Sequence, residues 1–392
     1  MEIIYKTKNG RIVNGDNIEV MRKIKENSVD SCISDFPYDL SFMGKKWDTT
    51  GNFYEWCKER ATELFRVMKS GGYVCIFGHP KTNHRMKSAF EDVGFNIVEE
   101  VDWVYGTGFP KNQDIGKLFD KKAQYDLSDK WKGWKTAGLK PAHEPITIFQ
   151  KPLEGNYINN INTIGCGAMN IDACRIPTSQ EDKDMINAKA SKNPTTNYSD
   201  SDTRIYGAYA EDKSMPANEI GRFPANMIFD SSMGEILDSQ SGISKSTGGS
   251  GDKSKGALGD SVYGKYKNEE LSANAGGLGD TGGASRYFTN IDLEDITPFY
   301  YCPKATKKEK GEGNTHVTVK PKELIKWLIK LVTPIDGKTI DITAGSCTHA
   351  LACEELNKND GYNLKYIDIE MMNTEEEPYC NIGKVRIESI IK

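Results

Sequence analysis

The nine cysteines of this 392-residue chain include no Cys-x-x-Cys pair. That spacing offers no structural zinc site, so no metal is expected. An odd, scattered set fits the reduced thiols of a cytoplasm better than a disulfide framework. No run of 18 or more apolar residues is present, so no membrane span is expected. The opening Met1-Glu2-Ile3-Ile4-Tyr5-Lys6 lacks the layout of a signal peptide, and a cytoplasmic location is the expectation. The phosphate-loop pattern Gly-x4-Gly-Lys-Ser/Thr is missing, which disfavours that kind of nucleotide site. Positive charge is not in excess either: the formal net charge is −5. Such a total does not advertise nucleic-acid binding, yet in a chain of this length only one face need be basic.

What is present is strand and helix patterning at both ends of the chain around a polar middle. The length suffices for a full-sized core plus a second domain or a large insertion. Residues 11–15 read as a short strand, followed by a helix with Ile18, Val20, Met21 and Ile24 on one face. A buried strand, Val29-Asp30-Ser31-Cys32-Ile33, then leads to Asp35. Strand, helix, strand is how a right-handed parallel crossover opens. An amphipathic helix is expected over 53–68, closed by Gly71-Gly72 as a C-cap. A strand over 73–77, a helix over 82–92, and strands over 95–105 and 146–149 follow. His79 and His84 stand alone and are expected in hydrogen-bonded structural roles. Between 111 and 151 lysine outweighs acid, with Trp131 and Trp134 interleaved. That pattern suits either a phosphate-tracking surface or a merely solvated segment. From 152 to about 300 the chain is rich in Asn, Gly, Ser and Asp, and the run 247–284 cannot bury enough apolar surface to fold tightly alone. Gly167 to Asp172 and Gly221 to Ile228 are islands of order within it. Patterning returns with a helix carrying Leu324, Ile325, Leu328, Ile329, Leu331 and Val332. A strand over 339–341, a helix over 348–357, a strand over 365–370 and a closing helix over 378–390 complete the chain.

Two stretches carry chemistry. Ser34-Asp35-Phe36-Pro37-Tyr38 ends a strand with a carboxylate, a proline and an aromatic, a set that can grip a flat, amino-bearing ring. Asp35 would accept one amine hydrogen and the Phe36 carbonyl the other, Pro37 would stiffen that backbone, and Tyr38 would stack on the ring. The same residues also suit an ordinary turn. The second stretch is Ala344-Gly345-Ser346 after Asp341, where small residues let backbone approach a ligand closely. Glu370 ends the next strand, where an acid can bind ribose hydroxyls. The turn after Asp341 does not carry Gly-x-Gly-x-x-Gly, so a nicotinamide cofactor is not favoured. Two further segments have double readings: Asp39 to Asp48 as a surface loop or a lid, and Trp103 to Lys111 as a core turn or a wall of a base pocket.

Asp35-Phe36-Pro37-Tyr38 resembles the Asp-Pro-Pro-Tyr motif of DNA amino-methyltransferases, which act on adenine N6 or cytosine N4. The order of parts, target motif first and cofactor motifs last, is similar to the permuted beta class of that family. Ser41 to Asp48, Trp103 to Lys111, Leu139 to Pro145 and Gly221 to Asn226 look like segments of its phage and prophage branch. The resemblance covers about 10–150 and 299–390, and the middle only in islands. It implies an α/β fold of the class I methyltransferase type: a doubly wound, mostly parallel sheet, circularly permuted, with a large irregular insertion. Residues 1–151 would be the catalytic half, 152–298 a target-recognition insertion and 299–392 the half that binds S-adenosyl-L-methionine. By position, Asp35, Phe36, Pro37 and Tyr38 are the implied catalytic residues. Asp16, His316, Thr318, Lys320, Asp341, Ala344, Gly345, Ser346 and Glu370 are the implied cofactor residues. The implied partner is double-stranded DNA in a bacterial cytoplasm, with phage or prophage encoding, and dimers occur in the family. Asp rather than Ser at the motif's first position leans toward adenine N6. A cytosine-N4 enzyme and a catalytically silent DNA-binding relative are the alternatives. The chain departs from the family pattern at Phe36 (a proline), Ile342 and Thr343 (Pro-Phe), Cys347 (a glycine) and Val317 (a proline).

Overall fold

The computed structural model describes residues 1–40, 48–106, 112–178, 180, 183–184, 187, 220–245, 281–291 and 319–391. The chain divides into two compact units. One comprises Met1–Cys174, Ala225–Met233 and Asn290–Lys392, the other Arg175–Pro224 and Gly234–Thr289. The second unit contains an antiparallel pair, Ser244–Lys245 with Thr281–Gly282.

The first unit is built on a sheet. Its strands include β1 (Glu2–Lys6), β2 (Gly10–Asn14), β3 (Val29–Asp35), β4 (Met68–Phe77), β5 (Asn96–Val104), β6 (His143–Gln150), β7 (Met227–Asp230), β8 (Lys338–Asp341) and β9 (Lys365–Glu370). In space these nine run β1-β2-β9-β8-β3-β4-β6-β5-β7. The run from β2 to β4 is parallel throughout. β6 lies antiparallel between β4 and β5, and β7 is parallel to β5. The sheet is therefore mixed and mostly parallel, and the two strands from the end of the chain lie between β2 and β3. Four neighbouring parallel strands consequently end side by side, at Asn14, Glu370, Asp341 and Asp35.

Apolar side chains pack on both faces, as parallel sheets require. On one face lie Val20, Met21, Leu64 and Phe90, from helices α1 (Asn17–Met21), α2 (Phe53–Val67) and α3 (Asn83–Val93). On the other lie Leu324 and Leu328 from the helix Lys322–Val332, and Leu351 and Leu356 from Thr348–Asn359. β3 is buried on both sides, so its polar residues need partners. Asp30 has Lys69 Nζ at 2.6 Å and the Lys338 N–H at 2.8 Å, and the Ser31 hydroxyl meets that of Thr333 at 2.7 Å.

Two local expectations change. Gly71 and Gly72 do not cap α2, which ends at Val67; both lie inside β4. Gly71 has φ +80°, and a Cβ there would stand 2.5 Å from Asn160 Nδ2. The missing side chain lets the Asn160 amide donate to the Ser70 and Cys166 carbonyls at 3.0 and 2.8 Å. From the polar middle, residues 152–174 and 225–233 belong to the sheet unit. The island around Met227 is a sheet strand, because β5 offers it an unpaired edge.

Candidate active site

One cavity collects the strand ends. It is lined by Asp16 and Asn17 after β2, Glu370, Thr343 and Gly345, and Asp35 to Tyr38, together with Trp56, Arg60, Glu144 and Lys320. Asp35 keeps about a quarter of its side chain exposed, at 24%. Its Oδ2 lies 2.8 Å from Lys320 Nζ, and its Oδ1 accepts from the Tyr38 hydroxyl at 3.1 Å. Glu144 Oε2 lies 3.0 Å from the same ammonium and 2.8 Å from the same hydroxyl. Lys320 also donates to the Tyr38 oxygen at 3.1 Å and lies 5.3 and 5.2 Å from the ring centroids of Tyr38 and Phe77.

These four side chains form one network, which the Tyr105 hydroxyl joins at Glu144, and their charges settle one another. Burial raises the Asp35 pKa, with Lys320 opposing and Glu144 adding to the rise. Burial works against the Lys320 charge, but Asp35 and Glu144 outweigh it and hold that ammonium above its usual pKa. Burial, then the charges of Asp35 and Glu144, pushes the Tyr38 hydroxyl well up, so it remains a donor.

The loop leaving β3 is held from behind. The buried Asp48 carboxylate accepts the N–H groups of Tyr38, Asp39 and Leu40 at 2.7, 3.0 and 3.2 Å. The Thr82 hydroxyl donates to the Tyr38 carbonyl at 3.0 Å. Phe36 is 2% exposed, and its ring packs edge-on against Trp56 at 5.1 Å and tilted against Phe90 at 6.1 Å. Packing thus restrains the backbone where the family's first proline would do so covalently.

The turn after β8 is sewn to the same strand end. Asp341 Oδ1 accepts the Ser34 hydroxyl at 2.6 Å and the Thr343 N–H at 3.0 Å, and the Thr343 hydroxyl donates to the Asp35 carbonyl at 2.9 Å. Gly345, at φ +51°, donates its N–H to Glu370 Oε2 at 2.7 Å, and Met372 N–H donates to Oε1 at 2.7 Å. Burial lifts the Glu370 pKa to about 7 despite these N–H donors. Burial and then the Asp368 charge lift Asp341 to about 7. Asp16 caps α1, accepting from Ile18 and Glu19 N–H at 2.9 and 3.1 Å, and Arg60 lies 3.9 Å from its other oxygen.

Asp16, Asp35, Phe36, Pro37, Tyr38, Lys320, Gly345 and Glu370 therefore share the cavity. Asp341, Ala344 and Ser346 are not among its described lining residues. The Ala344 N–H bonds the Ile369 carbonyl at 2.9 Å, and Ser346 receives Arg386 on its carbonyl and hydroxyl at 2.7 and 2.9 Å. These three shape the turn from behind. Cys347 has φ +59° and turns into the core against Gly383. His316 and Thr318 lie outside the described residues, as do 41–47 and 107–111. Trp103 is 6% exposed and belongs to the core. Sequence reasoning missed the site roles of Glu144, Asp48, Arg60 and Asn17. Glu144 and Asp48 stood in segments already matched to the family, which was the available signal. Among the described residues no group of three His, Cys, Asp or Glu is placed to hold a metal, and no helix is long and apolar enough to cross a membrane.

The N6/N4 methylase family model, described as DNA methylase, matches residues 29–382. The type II methyltransferase M.HindIII of Haemophilus influenzae is 29% identical over 178 residues, covering 36% of this chain and 58% of that protein. The type II methyltransferase M.HpaI of Haemophilus parainfluenzae is 28% identical over 148 residues, covering 36% of this chain and 38% of that protein. The match to both curated relatives thus spans less than two thirds of their length. The solved PvuII DNA methyltransferase (cytosine-N4-specific) aligns with a TM-score of 0.47 and 14% identity, over 99% of this chain and 92% of that one.

Proposed function

The chain belongs to the N6/N4 DNA methylase family, and from that premise we propose that it methylates the exocyclic amino group of adenine N6 in a fixed DNA sequence. The observation that carries this reading is the single cavity in which Asp35 to Tyr38 face Gly345 and Glu370. The methyl donor is S-adenosyl-L-methionine, which supplies an electrophilic methyl on its sulfonium. The residues present fit it: a buried carboxylate at Glu370 for ribose hydroxyls, bare backbone at Gly345, and Asp16 with Asn17 beside the adenine. Lys320 would line the methionine side, and Asp341, Ala344 and Ser346 would keep the turn in shape.

The target base reaches Asp35 only out of the duplex, at a cost of a few kcal/mol for unstacking. Tyr38 stacks on it. Asp35 and the Phe36 carbonyl take the two amine hydrogens and turn the nitrogen lone pair toward the methyl. Asp35, beside the amine nitrogen, would stabilise the positive charge that develops there during methyl transfer and then accept its proton. Asp rather than Ser at position 35 supports adenine over cytosine. The placement of β8 and β9 between β2 and β3 supports the permuted, beta-class arrangement. The composition of the polar middle supports target recognition there.

The test is expression in a methylation-free bacterial host, followed by sequencing of host DNA with single-base detection of modification. N6-methyladenine in one short motif, absent with Asp35→Ala, is the expected result. N4-methylcytosine would keep the mechanism and overturn the choice of base. Unmodified DNA from cells rich in folded protein would sink the reading.

A further inference from the structure

We propose that Glu144 is a positioning residue that gives the Asp35–Lys320 pair, where the target amine docks, a net negative charge. The inference rests on the methylation reading above. Lys320 Nζ sits 2.8 Å from Asp35 Oδ2, so Asp35 alone forms a neutral pair with it. A neutral pair accepts a hydrogen bond but offers no net attraction to a cation developing on the amine nitrogen. Glu144, 8% exposed and 3.0 Å from the same ammonium, converts the pair into a three-charge cluster of net −1. In this partly buried site, that difference acts on the transition state.

Glu144 also frees Asp35 for the base. Lys320 holds one Asp35 oxygen, and the Tyr38 hydroxyl, 3.1 Å from the other, shares its single proton between Asp35 and Glu144. An incoming amine must displace one of them, and the displaced group would otherwise be left buried and unpaired. Glu144 Oε2 already lies 2.8 Å from that hydroxyl, so both donors keep a partner when the amine arrives. The neighbouring carboxylates are committed elsewhere: Asp48 to the Tyr38, Asp39 and Leu40 N–H groups, and Glu370 to those of Gly345 and Met372. β6 delivers Glu144 through its antiparallel pairing with β4, where Ile146 faces Phe77 and the Gly78 N–H bonds the Pro145 carbonyl at 2.9 Å.

The experiment compares wild type, Glu144→Gln and Glu144→Asp. Single-turnover methylation of duplex DNA carrying the recognised motif is measured, with S-adenosyl-L-methionine and DNA affinities read separately. Glu144→Gln keeps the size and an acceptor but removes the charge. Its methyl-transfer rate is expected to fall about tenfold to hundredfold, with both affinities within about twofold. Glu144→Asp is expected to stay within a few-fold of wild type. A Glu144→Gln rate equal to wild type, or a Glu144→Asp rate as low as that of Glu144→Gln, would overturn the proposal, since Asp keeps the charge that Gln removes. Wild type that binds S-adenosyl-L-methionine yet leaves DNA unmodified would instead sink the methylation reading itself.

Discussion

A methyl group placed at Gly383, in the helix Tyr379–Ile391, would stand 2.5 Å from Cys347 Sγ, 2.7 Å from Cys347 Cβ and 3.2 Å from Ile12 Cδ1. The sulfur can swing only into packed core, because Cys347 is 0% exposed. Its Cβ cannot move without the backbone, which is held at φ +59° by the Cys347 N–H bond to the Ala344 carbonyl at 2.7 Å. Overpacking of this kind costs about 1–3 kcal/mol, and replacing glycine by alanine inside a helix returns at most about 1 kcal/mol. With two contacts under 3 Å the upper part of the range applies, so Gly383→Ala should destabilise by about 1–2 kcal/mol. Cys347→Gly relieves about 1–2 kcal/mol of left-handed strain and loses a buried thiol of similar worth, so alone it should be near neutral. Together the new methyl occupies the space the thiol left, and the pair should couple by about 2 kcal/mol. Urea unfolding of the four proteins measures this, and additivity within about 0.5 kcal/mol would refute the reasoning. Affinity for S-adenosyl-L-methionine should follow the same pattern, since the strained residue closes the turn that carries Gly345.

Glu370 and Asp341 both have pKa values lifted to about 7, against about 4.3 and 3.9 for unfolded chains. Between those limits the folded protein binds more protons than the unfolded one, so cofactor-free stability should fall as pH rises from about 5 to 7; equal urea midpoints at pH 5.5 and 7.5 would contradict this. The proton on Glu370 must also leave before its carboxylate can accept ribose hydroxyls, so S-adenosyl-L-methionine affinity should climb by up to about tenfold per unit below pH 7 and flatten above it. Calorimetry should find that slope lost in Glu370→Gln. Phe36→Ala should cost about 3–5 kcal/mol, because it removes the ring packed on Trp56 and Phe90; a loss under 1 kcal/mol in unfolding experiments would show that Phe36 does not anchor the loop. Thr343→Val leaves the Asp35 carbonyl and the Ser34 hydroxyl each short of a partner and should cost about 1 kcal/mol, read by unfolding and by a slower methylation rate.

Local patterning in the sequence was enough to place the strands ending at Asp35, Asp341 and Glu370 and the helices between them. Alternation and helical periodicity report which face of an element is buried, and that is a property of neighbours along the chain. It misread Gly71-Gly72 because two glycines after a helix look like a cap, whereas the structure uses Gly71 to admit the Asn160 side chain. Composition hid β7 inside a polar segment, since a four-residue strand carries too short a pattern. Small residues at Ala344 and Ser346 matched a ligand turn, but only Gly345 of the three faces the cavity. Acids at strand ends could be recognised one at a time. That Glu144 and Lys320, 176 positions apart by their numbers, would meet Asp35 and Tyr38 could not. The charge of the pocket is a sum over side chains brought together by strand order. That order was decided when β8 and β9 paired between β2 and β3, and β6 paired against β4, in three dimensions.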